Sequence, residues 1–479
     1  MNPQTEKLIQ QVNDKLKDTP LFFFSRDSER SLGLESVLEN YFIAAVESNY
    51  ISHSLAKVKQ DGIKVTQEDG DVLRTDSTLE LVKNQKVQEW IRQKAPNKFY
   101  AQFFHFNQPA VAVLENLGGT VLNVSADLNR KFEGKLSQYK VFEENSIPTP
   151  KAIITSVSEV TWDSLKTGLG TDKFVIQEDR AHTGTGTHFI DSESGLLYIQ
   201  KQLDGNTVKV SQMIEGHSYT INGCVTKKGV FVAGLQYQIT GIKDLTPGKG
   251  STIGNDWTHG YRSVTPEMRT HIFEVTKKIG EVMQKDGFRG LYGIDLVVKD
   301  NEYFVIEINA RQTANIPMQT KLELKQNLVP LALINLAEWL DIDFEMNANT
   351  ELSLIEGSQI FLRSKSDGFT VKEQLKSGIY RLQSDNAANK RIEEQGEWKM
   401  DQVIYIDEEQ DKPLIWQKDG YCIDFIEGGG FVLLLQKKGQ IRNKFDEIAR
   451  MQFTNQIVYI EGIAPWIIEA MKAIEDRVR

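Results

Sequence analysis

Residues 290–311 read GLYGIDLVVKDNEYFVIEINAR, and no other stretch limits the fold so narrowly. LYGIDLVV forms one alternating apolar strand, Lys299-Asp300-Asn301-Glu302 a polar turn, and YFVIEIN the returning strand of a β-hairpin. Asp295 sits on the first strand. Glu307 and Asn309 sit two apart on the second, so their side chains leave the same face. Antiparallel pairing about the turn sets Asp295 opposite, or nearly opposite, Glu307, with Arg311 just beyond. Two carboxylates and an amide oxygen form a hard ligand set. It suits Mg²⁺ that also keeps waters and phosphate oxygens, with Mn²⁺ as an alternative. The competing reading is a hairpin with a polar solvent face. Val305, Ile306 and Ile308 instead mark a buried strand, and a solvated face does not call for Glu-x-Asn-x-Arg.

The chain has 479 residues, enough for about three domains, each with its own core. Hydrophobic residues make up 40% and charged residues 25%, the balance of a globular chain. A formal net charge of −10 argues against nucleic acid as a partner. No apolar run approaches a membrane span, and MNPQTEKLIQQVNDKLK is amphipathic and acid-containing, unlike a signal peptide. Cys224 and Cys422 are far apart and lack metal-type spacing. A reduced, cytoplasmic protein is the expectation.

IEINAR resembles the signature of the ATP-grasp superfamily, whose second metal-binding strand reads Glu-x-Asn-x-Arg. Asp295 occupies the place of that family's upstream acidic ligand. The resemblance implies that Asp295, Glu307 and Asn309 hold Mg²⁺ on the phosphates of ATP, and that Arg311 stabilises acyl-phosphate chemistry. It covers roughly residues 20–340.

Three regions are expected: 1–125, 126–342 and 343–479. In the first, LFFFS (21–25), GIKVT (62–66), KFYAQFFHF (98–106) and GGTVLNV (118–124) read as strands. Helical patterns over 35–59, 78–94 and 108–117 alternate with them, which predicts βαβ units and a parallel sheet. This resembles the Rossmann-like domain preceding the nucleotide domain in ATP-grasp enzymes. His53 and Asn107 lie near its strand ends and read as structural. No Gly-x-Gly-x-x-Gly points to a dinucleotide.

The middle region opens with a helix over 134–144, ended by Ile147-Pro148-Thr149-Pro150. The resemblance gives Lys135 a phosphate role. Ser146 stands where the family's element has glycine. FVIQ, a glycine-rich turn HTGTG, and THFI follow. Gly184 and Gly186 let the backbone approach phosphates, as a lid would. The family ends this strand with a second phosphate lysine, whereas this chain has Gln177. Arg180 or His182 could supply the missing charge.

VKVSQMIEGHSYTINGCV (208–225) resembles the hinge strand, which places Gln212 to Ile214 against adenine. The usual acids are absent near Ser211, Gln212 and Ser218, and Glu215 is the substitute ribose ligand. In ATP-grasp enzymes the loop at this place carries basic residues near the γ-phosphate, so the resemblance makes Lys249, His259 and Arg262, in the polar loop over 247–262, candidates for that role. Helices are expected over 266–286 and 328–340, and residues 312–323 are expected to form the turn facing the acceptor. The last region is a β-rich α+β module with a closing helix over 465–478. Its GSQIFLR resembles a strand of biotin-carboxylase-like members, which makes Arg363 a candidate ligand for an anionic substrate.

The function this implies is an ATP-dependent ligase joining a small-molecule carboxylate to an amine, with a homodimer as the default assembly. Two alternatives stand beside it. One is a biotin-carboxylase-like enzyme activating bicarbonate, although no Met-Lys-Met tripeptide occurs in the chain. The other is a non-catalytic, regulatory nucleotide-binding protein.

Overall fold

The computed structural model describes residues 1–479 except 48, 59–61, 67–77, 106, 180–185, 243, 247–249, 346–352, 374, 383–402, 406–412 and 461. The chain divides into two compact units. One comprises Met1–Asn123, Ile239–Ser263 and Ala314–Arg479; the other comprises Val124–Gln238 and Val264–Thr313.

The first unit begins with a five-stranded parallel sheet in the order Ile63–Val65, Tyr41–Ala45, Leu21–Ser25, Phe99–Phe103, Gly119–Val121. Its aromatic run explains its core. Phe22 stacks on Phe42 at 5.1 Å and meets Trp90 edge-on at 5.3 Å. Tyr41–Ala45 falls inside the span expected to be helical over 35–59. The buried YFIAA segment pairs beside the central strand instead, and the helix is confined to Tyr50–Val58. The helix expected over 78–94 is two, Thr78–Lys83 and Gln85–Lys94. Asn84 leaves helical geometry between them, and its side chain accepts from the Val87 N–H at 3.2 Å.

An antiparallel sheet completes this unit, running Thr252–Asp256, Ser358–Arg363, Glu447–Phe453, Phe431–Leu435, Gly378–Leu382, Pro413–Lys418, Val403–Tyr405. The closing helix is Pro465–Val478. Among the described residues of 247–262, the expected loop is a strand, Thr252–Asp256, and a helix, Trp257–Arg262. The cause is Asp256, which caps that helix through the His259 N–H at 2.7 Å. It also accepts from Ile457 and Val458 at 2.7 and 2.9 Å. The turn expected over 312–323 is largely the helix Ile316–Lys325, opened by Pro317.

In the second unit, an antiparallel sheet of four strands runs Ala152–Ser156, Thr207–Gln212, Phe174–Glu178, Thr187–Ile190. One face carries Phe174, Ile176, Val208 and Val210 into a core with Leu165, Leu196 and Ile199. The other carries Gln177, Lys209 and Ser211. Beside this sheet lie the antiparallel strands Glu302–Asn309, Gly290–Lys299, His217–Thr226 and Gly229–Thr240, with the helix Pro266–Lys285 packed on them. The single hinge strand expected over 208–225 is therefore two strands, broken at 213–216. The chain is thus mixed α/β, with a parallel sheet near its N-terminus and a β-rich antiparallel sheet in its C-terminal part. Among the described residues, no helix is long and apolar enough to cross a membrane.

Candidate active site

The hairpin register places Asp295 directly opposite Glu307 and Gly293 opposite Asn309, with a bulge next to Asp295. The turn is tight: Lys299 faces Glu302, and Asp300 takes φ +54°, a conformation aspartate tolerates. Asp295, Glu307 and Asn309 therefore share one face. Asn309 Nδ2 donates to Asp295 Oδ2 at 3.1 Å, and Arg311 Nη2 donates to Asn309 Oδ1 at 3.2 Å. Asp295 Oδ1 also accepts from Thr220 Oγ1 at 2.6 Å and Gln238 Nε2 at 2.8 Å. Thr220 stands opposite Asp295 on the next strand.

Lys135 is the first residue of the helix Lys135–Glu144, and its ammonium pairs with the Glu307 carboxylate. Two contacts fix that approach. Gln138 accepts the Ile308 N–H at 2.7 Å, tying the helix to the hairpin. Asp179 receives the Lys135 N–H on its carbonyl and the Leu136 N–H on its carboxylate, both at 3.1 Å. The proline-rich exit of the helix docks on the same strand. The Val305 N–H donates to Pro148 O at 2.8 Å, and Thr149 Oγ1 donates to Val305 O at 2.9 Å. Arg311 is held from the other side by Glu133, Nε to Oε1 at 2.7 Å.

Burial dominates the electrostatics of this face. Burial, with the Glu307 carboxylate adding, pushes the Asp295 carboxyl up to about 6. Burial also pulls the Lys209 ammonium down to about 8, with Lys135 adding and Glu307 opposing. Two carboxylates brought face to face inside the protein, beside an amide oxygen, are the donor chemistry of a hard divalent cation. The residues fit Mg²⁺ on this ground.

The remaining candidates are spread more widely. Gln177 is buried, directly opposite Lys209. Gly186 O accepts the Glu178 N–H at 3.0 Å. Arg180, His182 and Gly184 lie outside the described residues, as does Lys249. Gln212 turns its side chain away from the Lys209 face and binds Leu169 O at 2.7 Å and the Lys151 N–H at 3.3 Å. Ile214 lies half-buried in the link 213–216. Glu215, exposed, pairs with Lys173 at 2.7 Å.

Arg363 belongs to the other unit, where it donates to Thr252 O at 3.2 Å and Phe445 O at 2.9 Å. So do His259 and Arg262; Arg262 pairs with Glu356 at 3.0 Å. Asn107 caps the helix Gln108–Asn116, accepting from Ala110 N–H at 3.1 Å, and His53 contacts Lys437. Thr220, Gln238, Glu133 and Lys209 escaped the sequence reading. Thr220 and Gln238 carry no spacing signal. Lys209 is a lone cation in the run TVKVSQ, where alternation reads as a solvated face.

Residues 132–315 match the family described as the ATP-grasp domain. Among curated proteins, the chain is 22% identical over 223 residues to the carbamoyl phosphate synthase arginine-specific large chain of Geobacillus stearothermophilus, covering 46% of this chain and 20% of that one. It is 27% identical over 142 residues to D-alanine–D-alanine ligase of Petrotoga mobilis, covering 28% and 45%. The chain thus spans less than half the length of either relative. The carboxyaminoimidazole ribonucleotide synthase of Aspergillus clavatus, solved with ATP, superposes with a TM-score of 0.53 at 12% identity, covering 96% and 99% of the two chains. The L-amino acid ligase of Bacillus licheniformis gives 0.53 at 11%, covering 96% and 97%. At these identities the likeness is one of fold.

Proposed function

We propose that this chain, an ATP-grasp protein over residues 132–315, is an ATP-dependent carboxylate–amine ligase that works through an acyl phosphate and releases ADP and phosphate. The observation that carries the reading is the shared face of Asp295, Glu307 and Asn309, with Lys135 and Arg311 at its rim. Binding a nucleotide does not by itself require that whole set. The names of two relatives, a D-alanine–D-alanine ligase and an L-amino acid ligase, agree with it.

Asp295, Glu307 and Asn309 would hold Mg²⁺, or Mn²⁺, which when bound neutralises phosphate oxygens. Lys135 releases Glu307 and binds phosphate. A substrate carboxylate oxygen attacks the γ-phosphorus in line, the bond to the ADP oxygen breaks, and ADP leaves. The amine then attacks the acyl carbon, and phosphate leaves as the amide forms. Arg311, oriented by Glu133 and Asn309, stabilises the negative charge that develops on the acyl oxygen. No Ser-His or Cys-His nucleophile is needed.

The test is ADP and phosphate release from Mg-ATP with pooled amino acids and small carboxylates. Glu307→Gln is expected to keep the fold and lose turnover by at least ~100-fold, as for removal of a group that acts electrostatically in the transition state. A variant as fast as wild type would remove Glu307 from the site. AMP and pyrophosphate as products would refute γ-phosphoryl transfer. Turnover that needs bicarbonate in place of a substrate carboxylate would move the protein to the carboxylase reading.

A further inference from the structure

Lys209 is 2% exposed, on a strand whose neighbours Val208 and Val210 point into the core on the opposite face. Among the described residues its ammonium has no ion pair or hydrogen bond, and it lies 5.9 Å from the centre of the Tyr139 ring. Burying an unpaired ammonium is costly, and an apolar residue here would spare that cost. Its surroundings indicate what the charge is kept for. Lys135 and Glu307 both act on it electrostatically. Directly across the sheet stands Gln177, on the same face. Gln177 stands one residue before the end of the strand Phe174–Glu178, ahead of the glycine-rich segment, and is neutral.

We infer that Lys209 is a phosphate-binding residue of the nucleotide site, supplying beside Lys135 the second cation that Gln177 does not. Neighbouring strands lie about 4.8 Å apart, a span well within a lysine's four-carbon stem. The cation has thus moved one strand sideways while facing the same space. Two ammoniums beside two carboxylates and an amide oxygen form the charge pattern for a nucleoside polyphosphate carrying a divalent cation. A neutral nucleoside would leave both ammoniums unanswered. The inference rests on the nucleotide-binding part of the proposed function and not on the identity of acid or amine.

The experiment is calorimetric titration of the full chain with MgADP and, separately, with adenosine. Lys209→Met keeps the length of the side chain and removes its charge. It is expected to weaken MgADP binding by roughly 10- to 100-fold, the worth of a charge-assisted hydrogen bond. Adenosine affinity should stay unchanged, and the nucleotide-free protein should melt no lower than wild type. Lys209→Gln should lose the same affinity, and the double variant Gln177→Lys/Lys209→Gln should recover most of it by returning the cation to the other strand.

Unchanged MgADP affinity in Lys209→Met would overturn the inference. So would an equal loss for MgADP and adenosine, which would mark a merely structural lysine. A wild-type protein that binds no MgADP would instead bring down the nucleotide reading itself.

Discussion

Inside the helix Ile316–Lys325, Glu323 is buried with two donors, Gln319 Nε2 at 2.8 Å and the Leu331 N–H at 3.3 Å. Burial pushes its carboxyl up to about 8 from an ordinary value of 4.5. The folded chain therefore holds this proton more tightly than the unfolded one. The group's contribution to stability is full below pH 4.5 and is lost as the pH rises through about 8. Glu323→Gln is neutral throughout, so its melting temperature should gain on wild type between pH 5 and pH 8. An equal difference at the two values would contradict the assignment. Other single residues explain what the sequence could and could not disclose. Ser146 replaces the glycine of the family's pattern yet takes φ +50°, the conformation that glycine would favour. The facing of Asp295 and Glu307 was legible because a hairpin has a period of two and the turn fixes its register. Lys209 was not legible, because alternation assigns it a face without saying what covers that face.

The hairpin and the helix Pro266–Lys285 meet through one side chain. Tyr292 is buried, its hydroxyl donates to Thr276 O at 2.8 Å, and its ring fills space left by two glycines. A Cβ on Gly223 would lie 2.4 Å from the Tyr292 ring, and one on Gly280 would lie 2.5 Å from its hydroxyl and 2.6 Å from Val230 Cγ1. Within a helix, Gly→Ala ordinarily stabilises by about 0.5–1 kcal/mol. Overpacking costs about 1–3 kcal/mol, so it decides the sign. Gly280→Ala should destabilise by roughly 1–2 kcal/mol in urea unfolding; a stabilised variant would show that Tyr292 can move aside. At this scale, strands bounded by clear turns are legible in the sequence. Tyr41–Ala45 is not, because its apolar run carries no period that separates strand from helix. In Glu447–Phe453, Arg450 and Gln452 disguise a buried strand. Arg450 is answered there by Glu447 at 2.8 and 2.7 Å, an ion pair that pattern alone does not disclose.

Across the whole molecule, the candidate site residues on the hairpin, Lys135, Gln177 and Lys209 all belong to the unit of Val124–Gln238 and Val264–Thr313. MgADP should therefore slow backbone hydrogen exchange most in 133–144, 174–178, 207–212 and 290–311. Protection confined to residues 1–123 or 314–479 would place the nucleotide elsewhere. Composition and motif order are linear, so from the sequence they mark out consecutive regions. The units are interleaved, since strands far apart in sequence pair as readily as neighbours. This interleaving bears on synthesis at the ribosome. Lys135, Gln177 and Lys209 emerge well before Asp295, Glu307 and Arg311, and the core around Phe132, Ile221 and Val232 needs Ile294, Val305 and Ile308. Until residue 313 has left the tunnel, Lys135 lacks its partner Glu307 and the nascent segment exposes apolar surface. That interval is when chaperones would be needed most.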